Sequence, residues 1–233
     1  MSSRTSAKGT LALIGGGEWG EHHQALDRRL IEISGGAEIV ILPTAASYEH
    51  PDRVAAAAAA HYATLGASVT TLDVLNRRDA EDHKNAAAVK DAKFVYLADG
   101  SPMHLRSVLK GSAVYEAMLA AYRGGAVIAA SGAGATVLCD PMVDPRGGAY
   151  TVGLGFVEGL AVFPYHGTAA EHMLARSIEL RPKDATLVGI DTETALIREP
   201  DAVWSVAGAG KVTVYSDAEP ATHGAGTTGL TLP

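Results

Sequence analysis

The chain has 233 residues, 47% of them hydrophobic, with a formal charge of -7 and a single cysteine. A chain of this length buries a sizeable core without a metal or disulfide to hold it, and the acidic balance without any Lys/Arg cluster argues against a nucleic-acid footprint. No apolar run approaches the roughly 18 to 20 residues of a membrane span, and Met1 to Gly9 lacks the apolar core of a secretory signal, so a cytoplasmic protein acting on a small molecule or peptide is expected.

Thr10 to Ile14 is an apolar, strand-like run entering the glycine turn Gly15-Gly16-Gly17-Glu18. That turn has neither the G-x-G-x-x-G spacing nor a Walker lysine, so no nucleotide cofactor is expected from it. Gln24 to Ser34 repeats apolar residues at helical spacing. Glu38 to Leu42 is a second strand, and Pro51 to Leu65 an alanine-rich helix with Pro in its first turn. Ser68 to Leu75 reads as a strand, Ala80 to Lys90 as a helix, and Lys93 to Ala98 as a strand that stops at Asp99-Gly100-Ser101-Pro102. Two helices follow, Met103 to Leu109 and Ser112 to Arg123, the second capped by Ser112. Beyond residue 139, Asp140 to Gly153 reads as a surface loop, Val157 to Tyr165 as a strand and Thr168 to Leu180 as a helix. Ala185 to Ile190, Thr194 to Arg198, Ala202 to Ala207 and Lys211 to Tyr215 read as a run of short hairpins.

This alternation predicts one α/β domain over 1–218: a mostly parallel, doubly wound sheet with helices on both faces and short antiparallel segments near the C-terminus. The Gly- and Thr-rich segment 219–233 reads as a flexible tail. Glu18, Glu21, His22 and His23 lack metal-ligand spacing and read as a solvated helical turn, so no metal is expected. Cys139 reads as a small buried residue.

Between two helices lies Ala126 to Leu138, an apolar strand entering a cluster of Ser, Gly and Ala and leaving as a helix. That is the shape of a nucleophile elbow, in which a strained residue between small neighbours projects above a sheet. It can be centred two ways. Centred on Ser131, the elbow carries a nucleophile, with His166 as base and Glu193 as orienting acid. Centred on Gly132, it carries none, although the small neighbours Ala130, Ala133 and Gly134 suggest room for a side chain. Ligands of such sheets bind at the carboxyl ends of the strands, so Gly17-Glu18, Pro43-Thr44, Asp99-Gly100, Ser131-Gly132 and Tyr165-His166 are expected to line one crevice.

The order of Leu13 to Glu18, Ile41 to Ala45, Arg78-Asp79-Ala80, Asp99-Gly100, Val127 to Ala135, His166, Gly189 to Leu196 and Gly208 to Val214 resembles the cyanophycinases and the aspartyl dipeptidases called peptidase E. These are serine hydrolases with a class I glutamine-amidotransferase-like fold. The resemblance implies a homodimer and a nucleophilic serine at the position of Gly132. It also implies that the orienting acid falls on Thr192, and that Asp99 stands where a bare glycine should approach a developing oxyanion. His166 matches the family's catalytic histidine. The expectation is therefore a catalytically silent relative that binds a small peptide or amino-acid-like ligand through Gly132, Ala133, Asp99, Gly100, Ser101, Gly17, Glu18 and Thr192. The alternative is an active serine peptidase or amidase on Asp-containing peptides, using Ser131, His166 and Glu193.

Overall fold

The computed structural model describes residues 9–168 and 171–233. Its first half forms β1 (Thr10–Ile14), α1 (Gln24–Ser34), β2 (Glu38–Leu42), α2 (Pro51–Thr64), β3 (Ser68–Thr71), α3 (Arg77–Ala80), α4 (His83–Asp91) and β4 (Phe94–Leu97). Next come α5 (Pro102–Leu109), α6 (Ala113–Arg123), β5 (Val127–Ser131) and α7 (Ala133–Leu138). The two-residue strands β6 (Cys139–Asp140), β7 (Met142–Val143) and β8 (Tyr150–Thr151) cross the segment expected to be a loop, and β9 (Val157–Glu158) opens the segment expected to be a single strand. The chain then forms β10 (Leu160–His166), α8 (Glu171–Glu179), β11 (Thr186–Asp191), β12 (Thr194–Arg198), β13 (Trp204–Gly208), β14 (Lys211–Tyr215) and β15 (Ala221–Gly224).

The main sheet runs in the order β13-β12-β1-β5-β4-β2-β3. Its β1, β5, β4, β2 and β3 are mutually parallel, and β12 and β13 extend one edge antiparallel. Strands covered on both faces must be apolar at every position, and alternate residues must then serve opposite cores. Leu11, Leu13, Val95, Leu97, Ile128 and Ala130 join one core with α5, α6 and α7. Ala12, Ile14, Phe94, Tyr96, Val127 and Ala129 join the other, with Leu26 and Leu30 of α1 and Ala58 and Tyr62 of α2.

Three expectations are corrected. The single helix over Ala80 to Lys90 is split, because Asn76 caps α3 and Asp82 caps α4, each accepting from two backbone amides. The C-terminal strands are not one run of hairpins: β11, β14 and β15 join β10 in a second sheet, ordered β10-β11-β14-β15, while β12 and β13 belong to the first. The segment 219–233 is not a tail. It supplies β15, Leu230 exchanges two 3.0 Å backbone hydrogen bonds with Trp204, and Leu230 and Leu232 pack on the core. The helix expected from Thr168 begins, where described, at Glu171, and residues 169 and 170 lie outside the described residues, as do 1–8.

No helix among the described residues is long and apolar enough to cross a membrane. Cys139 is buried, and burial pushes its thiol well above the ordinary value. His23 also departs from expectation: it is fully buried rather than solvated. Its Nδ1 lies 3.0 Å from Asp27 Oδ2, His61 Nε2 lies 2.7 Å from the same oxygen, and Tyr62 donates to Asp27 Oδ1 at 3.2 Å. Burial alone would raise the Asp27 pKa, but the two histidines outweigh it and hold the carboxyl below its ordinary value. This knot ties α1 to α2 beneath the sheet, and removing its shared acceptor strands buried polar groups. Asp27→Ala is therefore expected to lower unfolding free energy by about 3 kcal/mol or more at neutral pH. Because the folded carboxyl is depressed, that difference should shrink as pH falls through its folded pKa. Urea unfolding of both proteins at neutral and acid pH checks it, and a neutral-pH cost below about 1 kcal/mol would contradict it.

Candidate functional site

The site forms where β1, β4 and β5 end side by side. At the end of β5, Gly132 adopts φ 48° and ψ -105° before α7 begins. That conformation is strained for any residue with a Cβ and easy for glycine. Its amide donates to Ile14 O at 3.0 Å and its carbonyl accepts from Thr136 N at 3.1 Å, so strand and helix are both fastened at the turn. Ser131 lies one residue earlier, still in β5 opposite Ile14, fully buried and with no hydrogen bond to its Oγ.

Over the turn hangs Asp99, carried by the loop after β4. Its Oδ1 accepts from Gly100 N and Ala133 N, each at 2.7 Å, and its Oδ2 accepts from the Tyr165 hydroxyl. An oxyanion hole in an elbow hydrolase consists of the amide following the nucleophile and a second amide from a neighbouring loop, both about 2.7–3.1 Å from the developing anion. Ala133 N and Gly100 N meet that description, and Asp99 Oδ1 sits at their focus. A Cβ built on Gly132 would fall inside the contact distance of the Asp99 carboxyl carbon and both its oxygens. The room suggested by the small chain neighbours is thus taken by a side chain from another loop.

Glu18 stands behind Asp99, its carboxylate accepting from Asp99 N at 3.1 and 3.2 Å. Burial pushes its pKa up to about 8; the Asp99 amide opposes this and the Asp99 carboxylate adds to it. Tyr165 reaches the site through a positive φ of 53°, and its ring lies over Gly16, where a Cβ would collide with it. The glycine turn is therefore shaped by packing: Tyr165 N donates to Gly15 O at 2.7 Å and Glu193 N to Gly16 O at 2.8 Å.

Ser131, His166 and Glu193 are not brought together. His166 Nδ1 is 2.9 Å from Asp191 Oδ1 and its Nε2 is 2.8 Å from Tyr215 Oη, so both ring nitrogens are engaged on the second sheet. A register shift in β10 between Phe163 and His166 separates the directions of Tyr165 and His166, sending the tyrosine to the elbow. The Glu193 carboxyl reaches Gly20, and the Thr192 methyl lies against Gly17. Ser101 caps α5 and donates its amide to Ala45 O at 2.8 Å. Of the residues expected in the crevice, Asp99, Gly100, Ala133 and Tyr165 line a cavity of about 200 Å³ with Phe163 and Met173. Among the described residues no group of His, Cys, Asp and Glu is arranged to hold a metal.

Sequence reasoning placed Tyr165 at the crevice only as a strand end, and it passed over Asp191 and Tyr215 as site residues. Asp191 was within reach, since it ends the Gly189-Ile190-Asp191 match one residue before Thr192. What the sequence could not show is that Tyr165 faces the elbow while His166 turns to the second sheet, because a β-bulge is invisible in an apolar run.

The sequence matches the model of peptidase family S51 over residues 11–205. The chain belongs to this family. A crystal structure of a peptidase from an acI-B1 Actinobacterium resembles the S51 chain with a TM-score of 0.87 and 26% identity, covering 97% of this chain and 98% of that one. A crystal structure from Listeria monocytogenes EGD-e, of a protein assigned as a peptidase E, shares the fold at a TM-score of 0.62 and 15% identity, covering 93% and 98%. No curated protein matches the sequence.

The raised Glu18 value has a consequence for stability in this S51 fold. Between the ordinary 4.5 and about 8, the folded protein holds a proton that the unfolded chain has released, so stability falls as pH rises through that window. Glu18→Gln is expected to match the parent near pH 5 and to exceed it near pH 8 by on the order of 3 kcal/mol. Urea unfolding at both pH values checks this, and a difference independent of pH would contradict it.

Proposed function

We propose that this S51 protein is catalytically silent and uses its elbow crevice to bind a small peptide or amino-acid-like ligand. The observation that carries the reading is the pair of 2.7 Å hydrogen bonds from Gly100 N and Ala133 N to Asp99 Oδ1. A hydrolase needs that pair free to receive the negative charge of a tetrahedral intermediate, and a resident carboxylate opposes such charge both by occupancy and by repulsion. Three further features support it. Gly132 has no nucleophile to offer at the turn. The buried Ser131 makes no hydrogen bond through its Oγ, and the carboxyl beside it, Glu18, is held toward its neutral form by burial. The histidine matching the family's base is held by Asp191 and Tyr215. The elbow's backbone has outlasted its chemistry because glycine is comfortable at φ 48°.

The test uses a fluorophosphonate probe together with hydrolysis assays on β-Asp-Arg and α-linked Asp dipeptides. No labelling and no turnover are expected. Stoichiometric labelling at Ser131, lost together with turnover in Ser131→Ala, would overturn the reading and restore the active serine peptidase.

A further inference from the structure

We infer that the elbow cavity takes its ligand amine end first: a primary ammonium borne on a short apolar body, with no carboxylate on the same carbon. The inference rests on the silent-elbow reading and names the chemistry of that same site.

Asp99 is the one charged side chain among the described residues that line the cavity. A carboxylate offers about four lone-pair sites, and three are taken, by Gly100 N, Ala133 N and the Tyr165 hydroxyl. One acceptor position remains for a ligand, and an ammonium fills it with a charge-assisted hydrogen bond. The other polar group at hand, the Thr136 hydroxyl, is turned to the carbonyls of Gly132 at 3.2 Å and Val162 at 3.4 Å. Pro102, Val143, Phe163 and Met173 make the remaining wall apolar, so the body that follows the ammonium gains from burial there. At about 30 Å³ for each water-sized group, 200 Å³ holds about seven non-hydrogen atoms, so a larger ligand extends past the exposed rim at Pro145.

The same surroundings discriminate against a carboxylate. No Lys, Arg or His lines the cavity among the described residues, and Arg146, beside the rim residue Pro145, is folded onto Asp144 through contacts of 2.5 and 2.9 Å. A ligand carboxylate entering the cavity therefore meets Asp99 with no cation to offset it, and a buried like-charge contact of this kind is costly. A free α-amino acid brings both charges on one carbon and is disfavoured. A peptide N-terminus or a simple amine is not, because its acid group is distant or absent.

Isothermal titration of the full chain at neutral pH with isoamylamine, leucinamide, leucine and 4-methylpentanoate tests this. The first two are expected to bind, and the last two at least about tenfold more weakly, with Asp99→Asn lowering amine affinity by a similar factor, about the value of one charge-assisted contact. Pro145→Trp, at the exposed rim, should weaken both amines while leaving the carboxylate in place. Equal or tighter binding of 4-methylpentanoate, amine affinity unchanged in Asp99→Asn, or no binding of either amine at millimolar concentration would overturn the inference. Should Asp99→Asn fail to fold, the ranking of the four ligands on the parent decides. Hydrolytic turnover or fluorophosphonate labelling marks failure of the silent-elbow reading instead, so the two failures are distinguishable.

Discussion

Two backbone amides from different loops, aimed at one point in a crevice, form a concentrated positive focus that must be satisfied by something. In this protein the occupant is Asp99, and much of the surrounding structure follows from that. Its carboxylate pins the loop after β4 to the start of α7, joining the ends of adjacent parallel strands. Its amide is held by Glu18, which joins the loop after β1 to the same cluster. Tyr165 closes the third side from the second sheet. A pair of amides placed like this suits transient negative charge in an elbow hydrolase, and here it meets a permanent one. The difference is physical: a resident carboxylate makes the hole a structural joint, with its acceptor already ordered before any ligand arrives.

That joint depends on backbone positions that few residues can occupy. Gly132 supplies the turn that aims Ala133 N, and the absence of its side chain leaves the space for the Asp99 carboxylate. Gly16 gives the ring of Tyr165 room to cross the first glycine turn. The second sheet then has two jobs on opposite sides of one β-bulge. Tyr165 is delivered to the elbow, while His166 is retained among Asp191 and Tyr215. One residue of register decides whether a histidine or a tyrosine faces the site, because successive side chains on a strand point to opposite faces.

The main sheet was legible because strands covered on both faces announce themselves as short, continuous apolar runs: the bounds of the parallel Thr10–Ile14 and Glu38–Leu42 and of the antiparallel Thr194–Arg198 follow directly from the residues. The peptidase-family membership was legible for a related reason, since strand-end motifs keep their order even when individual residues change. Partition of the C-terminal strands between two sheets was not, because pairing partners distant in the chain leave no local trace. Leu230 and Leu232 were masked by a Gly- and Thr-rich setting, which describes how a segment behaves alone rather than what it packs against. At the site, Asp99 was visible as an anomaly at a strand end, but its place against the elbow depends on a contact 34 residues along the chain, to Ala133. Space around Gly132 could not be judged from its chain neighbours for the same reason.

Asp99 thus occupies the volume that a side chain at the elbow would fill. A double-mutant cycle on unfolding free energy, with Gly132→Ser made in the parent and in Asp99→Gly, measures that claim directly. If the carboxylate is in the way, serine costs more in the parent than in the glycine background, with a coupling of at least about 1 kcal/mol on top of the backbone strain common to both. Equal costs in the two backgrounds would place Asp99 elsewhere and contradict the account.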